Sequence, residues 1–185
     1  SIEKFLVARR LMYWQVYIHK TVLSAEQMLQ RIIKRAKHIG AACQQPLHNF
    51  TNGPLQDITL DQFCSIDDTD VLMAIKNWRT YPDKVLALLC NGIIDRKLFK
   101  VQYFSHAVDE DLIDQKRKAV MQSLDLNAEE VNWLVFTGVA VSSTYNFENE
   151  PIHILFKDGS VKDITEVDNA LINENLRPEV KKHYF

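Results

Sequence analysis

The stretch Phe5-Leu6-Val7-Ala8-Arg9-Arg10-Leu11-Met12-Tyr13-Trp14-Gln15-Val16-Tyr17-Ile18-His19-Lys20 decides how the chain is read. No Gly or Pro occurs before Gly40, so nothing up to that point forces a helix to stop. At 100° per residue, Val7, Leu11, Trp14, Ile18, Val22, Ala25, Leu29, Ile32 and Ala36 fall on one stripe, an amphipathic pattern held for roughly ten turns. The opposite face carries Phe5, Arg9, Met12, Tyr13, Val16 and Lys20 and mixes apolar groups with cations. The pattern predicts one long helix over 2–39, buried on both faces, with an adjustment near Thr21 to Ser24. Ser24-Ala25-Glu26-Gln27 has the form of a capping box should a new helix start there. Cations on a buried face need partners, because an unpaired buried charge is very costly. A phosphate is one such partner.

Beyond the helix, Gly40 is a natural residue to follow its C-terminus. Residues 43–58, with Pro46, Asn52, Gly53 and Pro54, read as a loop. Short helices are expected over 59–63, over 69–79 capped by Ser65 or Asp67, and over 84–91 ended by Gly92. Residues 98–104 alternate in part, as a strand would. A charged helix follows over 109–124, with Leu112, Ile113, Ala119, Val120 and Leu124 inward. Asn127-Ala128-Glu129-Glu130 then forms a second capping box. Residues 133–145 are β-branched and aromatic and read as a strand. The segments 152–156 and 161–164, joined through Asp158-Gly159, read as a hairpin, and 166–175 as a last helix. The expected fold is mainly α, a long N-terminal helix with packed helices over 1–97. A small α+β part with an antiparallel hairpin or sheet follows over 98–185.

Composition limits the function classes. The chain has 185 residues, 46% apolar and 25% charged, with a net charge of −2. That is ordinary for a globular chain and gives no global field for nucleic acid or an anionic membrane. Cys43, Cys64 and Cys90 lie far apart and show no zinc spacing, so reduced, buried cysteines in a cytoplasmic protein are expected. No apolar run approaches membrane-spanning length. There is no Gly-rich phosphate loop, no serine in a nucleophile elbow, and no self-sufficient catalytic set.

These residues carry a resemblance. The run from Phe5 to Thr21 resembles a helix of the HD-domain phosphohydrolases, most nearly the branch similar to dNTP triphosphohydrolases. In that family an Arg, a Tyr eight residues on and a His-Lys pair share one long helix; here these are Arg9, Tyr17, His19 and Lys20. Asp67-Asp68 through Asn77, Tyr81-Pro82-Asp83 and Ile94-Asp95-Arg96-Lys97-Leu98-Phe99-Lys100 resemble the same family. The resemblance implies hydrolysis of a deoxynucleoside triphosphate to deoxynucleoside and triphosphate by a cytoplasmic homo-oligomer. It implies that Arg9 contacts a terminal phosphate and that Tyr17 packs on the sugar or base. For His19 and Lys20 it implies a nucleotide effector site at a subunit contact. The sequence departs from the family in one respect. HD enzymes hold a divalent metal with a His, a His-Asp dipeptide and a distant Asp, and none of the six His here, at 19, 38, 48, 106, 153 and 183, is followed by Asp. The expectation is a C-terminal part of a longer enzyme, with the metal-binding half before Ser1 and no metal held or dNTP turned over by this stretch alone.

Each feature also has a plainer explanation. Arg9 and Tyr17 point about 80° apart on an ideal helix, with Cα atoms about 12 Å apart. An Arg paired with a carboxylate and a core Tyr would satisfy the same pattern. A His-Lys pair is by default a solvated face. The basic groups Lys34-Arg35 with Lys37-His38, and Arg96-Lys97 with Lys100, read as solvated helix ends, and Asp67, Asp68 and Asp70 as caps. A non-catalytic oligomerisation or interaction module, docking through the long helix, is the alternative to the enzyme.

Overall fold

In the computed structural model, which describes residues 2–142, 152–167 and 180–185, the helix expected over 2–39 is interrupted. Helix α1 spans Ile2–Met12, a π turn follows over Tyr13–Tyr17, and α2 spans Lys20–His38. The π turn is marked by the Ile18 amide donating to the Tyr13 carbonyl at 3.0 Å, five residues back. Ile18 then leaves helical geometry at φ −99°, ψ 24°. The interruption falls at Ile18–His19, ahead of the Thr21 to Ser24 step. Ser24 is no cap: its buried hydroxyl donates to the Phe99 carbonyl at 2.8 Å. The buried face is offset from the expected stripe, although Ile32 and Ala36 on that stripe are buried. Leu11 and Leu29, both on the expected stripe, are 53% and 39% exposed, whereas Leu6, Leu23 and Met28 are buried.

The remaining elements are α3 His48–Asn52, α4 Leu60–Cys64, α5 Asp68–Trp78, α6 Lys84–Ile94, β1 Tyr103–Phe104, α7 Glu110–Leu124, α8 Ala128–Val131, β2 Gly138–Ser142, β3 His153–Leu155, β4 Val161–Asp163 and β5 Val180–Tyr184. They gather into two units.

One unit comprises Leu23–Val101 and Asp109–Phe136. Its core joins Met28, Ile32 and Ala36 of α2 to Ala74, Ile75 and Trp78 of α5 and to Val85, Leu86, Leu89 and Cys90 of α6. Local chemistry starts α4, α5 and α8 near where the sequence suggested, whereas α3 falls inside the stretch read as a loop over 43–58. Thr59, Asp67 and Asn127 each accept a backbone amide, and Gln62, Asp70 and Glu130 reach back, closing three capping boxes. Gly40 takes φ +61° just after α2. Gly92 does not end its helix. It lies inside α6, where a Cβ would stand 2.6 Å from the Met28 methyl and 3.1 Å from the Lys97 carbonyl. The bare backbone permits that approach. In α7 only Ile113 of the five expected inward residues is buried, and Ala119 and Leu124 are exposed. Burial pushes the Cys90 thiol up to about 12. Cys43 is only half-buried and Cys64 is exposed, against the expectation of three buried thiols.

Arg35, read from sequence as part of a solvated basic helix end, is instead buried. Its guanidinium grips Asp83 through Nε and Nη2 at 3.2 and 2.6 Å, and lies 5.4 Å from the centre of the Trp133 ring. Desolvation pushes the Asp83 carboxyl up. The hydrogen bond and charge of Arg35 and the Leu86 amide, at 2.7 Å, outweigh it and hold the group below the ordinary carboxylate range.

The other unit comprises Ser1–Val22, Gln102–Val108 and Thr137–Phe185. Its antiparallel sheet runs β1-β5-β2, with Tyr103 opposite Tyr184 and Gly138 opposite Tyr184. The centre strand β5 has no counterpart in the sequence reading. The strand expected over 133–145 is confined, among the described residues, to β2. Of 98–104 only Tyr103–Phe104 forms a strand, preceded by Gln102, which exchanges backbone hydrogen bonds with Phe185 at 2.8 and 3.0 Å. Gly138 lets the Tyr184 ring fold over its backbone, where a side chain would collide. The expected hairpin is present as β3 and β4, turning through Asp158 and through Gly159 at φ +84°. Leu6 of α1 is buried with Ile164, against Ile152 and Ile154. The helix expected over 166–175 lies largely outside the described residues.

Candidate functional site

Arg9 stands on the exposed surface of α1 and makes no ion pair among the described residues. Its guanidinium lies over the Tyr13 ring, 5.5 Å from the ring centre. Tyr13 in turn meets Tyr17, with centres 4.8 Å apart and planes tilted by 36°. Tyr13 is half-buried and Tyr17 is 51% exposed. The structure thus strings Arg9, Tyr13 and Tyr17 into one continuous row. Tyr13 lies between Arg9 and Tyr17 and contacts both. Sequence reading missed Tyr13 as a member of the site, although the repeat of four from Arg9 to Tyr13 to Tyr17 was visible.

His19 and Lys20 fall in a second grouping. The His19 Nδ1 accepts the Thr21 amide at 3.2 Å, so this ring caps the first turn of α2. The Lys20 ammonium lies 5.7 Å from the centre of the Tyr103 ring, and that of Lys182 lies 5.1 Å from it. The Tyr103 hydroxyl donates to the Ile18 carbonyl at 2.6 Å and so satisfies an acceptor at the helix break. Burial, then the neighbouring Tyr184, raise the Tyr103 phenol. No signal near Lys20 in the sequence announces Tyr103 or Lys182, because strand pairing alone brings them together.

Among the described residues no three His, Cys, Asp or Glu side chains cluster as the ligands of a metal ion would. The side chains present therefore do not fit the divalent metal of HD enzymes, and no chemical step is derived through one here. Nor is any helix among the described residues long and apolar enough to cross a membrane.

Comparison with known proteins agrees with this picture. Residues 1–132 match the family model of the HD associated region. The uncharacterized protein YwfO of Bacillus subtilis (strain 168) is 26% identical over 203 residues, covering 100% of this chain and 44% of its own length. The crystal structure of a phosphohydrolase from Bacteroides thetaiotaomicron VPI-5482 superposes with a TM-score of 0.83 and 36% identity, over 100% of this chain and 49% of that one. The chain thus spans about half the length of these relatives. With a family model over most of its length and a phosphohydrolase of the same fold, the chain belongs to the HD-domain phosphohydrolase family, as its HD-associated region.

Proposed function

We propose that this chain is the nucleotide-positioning part of a longer, metal-dependent HD phosphohydrolase that cleaves a deoxynucleoside triphosphate into deoxynucleoside and triphosphate. The observation that carries the reading is the state of Arg9. It is an exposed guanidinium with no carboxylate partner among the described residues, lined up with two tyrosines. The plainer explanation asked for a paired Arg and a core Tyr, and Tyr17 is half exposed. A guanidinium forks onto phosphate oxygens, and a phenol ring offers a flat face to a sugar. Arg9 would hold the terminal phosphate, and Tyr17 would pack on the sugar and restrict a 2′ substituent. Both roles are orientation and electrostatics rather than bond-making. The divalent metal would be held by an HD portion of the longer enzyme.

The test is Arg9→Ala in that longer enzyme. Losing a charge-assisted phosphate contact should lower kcat/KM by roughly 10- to 100-fold. Triphosphate release at wild-type kinetics from the folded variant would remove Arg9 from the site.

The same reading makes His19 and Lys20 an effector site at a contact between subunits of a homo-oligomer. The exposed side chains of Phe5, Leu11, Met12 and Val16 on α1 and the π turn support such a contact, and equally a docking role of its own. We expect the 185-residue chain to self-associate through α1, and Phe5→Glu with Met12→Glu to reduce it. A strict monomer by light scattering at high concentration would count against this.

A further inference from the structure

We propose that the π turn Tyr13–Tyr17 keeps Arg9 and Tyr17 in register, and that Tyr13 is a positioning residue holding both. This rests on the reading of Arg9 and Tyr17 as nucleotide contacts, and it adds to that reading a residue and a backbone device.

In an uninterrupted α-helix each step of four residues overshoots a full turn by about 40°. Arg9 to Tyr17 is two such steps, so the side chains would diverge by about 80°. A π turn closes its ring with a bond from residue i to i+5 and winds less per residue, roughly 80° to 85°. Its four steps from Tyr13 to Tyr17 undershoot a full turn by about as much as the preceding α step overshoots it. Tyr17 therefore returns to the direction of Arg9. The side chains bear this out, with Arg9 over Tyr13 at 5.5 Å and Tyr13 against Tyr17 at 4.8 Å. Such a turn gives up regular α-helical bonding, and single π turns occur often at functional sites.

Tyr13 supplies the other half of the device. A long flexible Arg on an exposed helix samples many rotamers, and ordering it on binding carries an entropic cost. A ring face beneath the guanidinium attracts it and narrows that spread. The contact uses the ring and not the hydroxyl, and so does the contact with Tyr17.

The experiment uses the longer enzyme containing this chain, with triphosphate release from a deoxynucleoside triphosphate as the readout. Tyr13→Phe keeps both ring contacts and should stay within about twofold of wild type in kcat/KM. Tyr13→Leu removes them and should lose about tenfold, with the melting temperature held. If the Leu variant melts below the assay temperature, Tyr13→Gln, which suits a helix and lacks a ring, replaces it. Because Tyr13 acts through Arg9 and Tyr17, the loss in Arg9→Ala with Tyr13→Leu should fall short of the product of the single losses. Full activity in the ring-less variants, losses that multiply, or Phe as damaging as Leu would each overturn the proposal. Wild-type activity of Arg9→Ala would instead overturn the underlying site, whereas damage by Arg9→Ala with none by Tyr13→Leu would sink only the role of Tyr13.

Discussion

Two arginines of the molecule stand in opposite states, one buried and paired, the other exposed. Arg35 is buried and paired, with two hydrogen bonds to Asp83, the Trp133 ring near its guanidinium, and Glu129 at 3.9 Å. Asp83 in turn also accepts the Leu86 amide at the start of α6. One carboxylate thus ties α2 to α6 and caps a helix at once. Arg9 has a tyrosine ring for company and, among the described residues, no anion. A charge taken out of water has to be matched within the fold. A charge left at the surface can wait for a ligand to match it. The contrast teaches that the state of an arginine, rather than its presence, tells which one the fold has already matched.

The contrast can be broken most directly at Arg35. Arg35→Met leaves the largely buried Asp83 without its cation, and breaking such a pair should cost about 3–5 kcal/mol of stability. A urea titration would register this as a lower midpoint with the slope preserved. A loss under about 0.5 kcal/mol would mean that water replaces the pair and that the two arginines do not differ in kind. Arg9→Ala should do the reverse, sparing the urea midpoint while impairing catalysis. An Arg9 variant that unfolds the chain would erase the distinction from the other side.

The smallest effect is the dependence on pH. The Asp83 carboxyl is depressed in the folded chain, so its contribution is present above the unfolded value of about 4. That contribution is lost as pH falls through the lower folded value. Between pH 6 and pH 3 wild type should therefore lose more stability than Asp83→Asn, in which this group no longer titrates. Parallel curves would mean that Asp83 ionisation adds nothing to the fold.

The sequence read well where a few neighbouring residues settle the outcome. Asp67 with Asp70 and Asn127 with Glu130 close their capping boxes within a single turn. Gly40 and Gly159 supply the positive φ angles that their turns need. Arg9, Tyr17, His19 and Lys20 could be named as candidates because they lie in one short stretch of sequence. What failed depended on partners far along the chain. Gly92 looks like a terminator until Met28 is packed against it. Arg35 looks solvated until Asp83, far along the chain, reaches it. Strand β5 gains its identity only from β1 and β2 on either side.

The first helix shows where the division lies. Its amino acids alone determined that residues 2–38 are helical almost throughout, because no Gly or Pro interrupts the run before Gly40. Tertiary structure decided where the ladder gives way. Tyr103, far along the chain, donates to the Ile18 carbonyl at the break. A periodic pattern specifies an angle per residue but not an accumulated phase. Where the ladder breaks, a distant tyrosine that only folding brings into reach takes up the freed carbonyl.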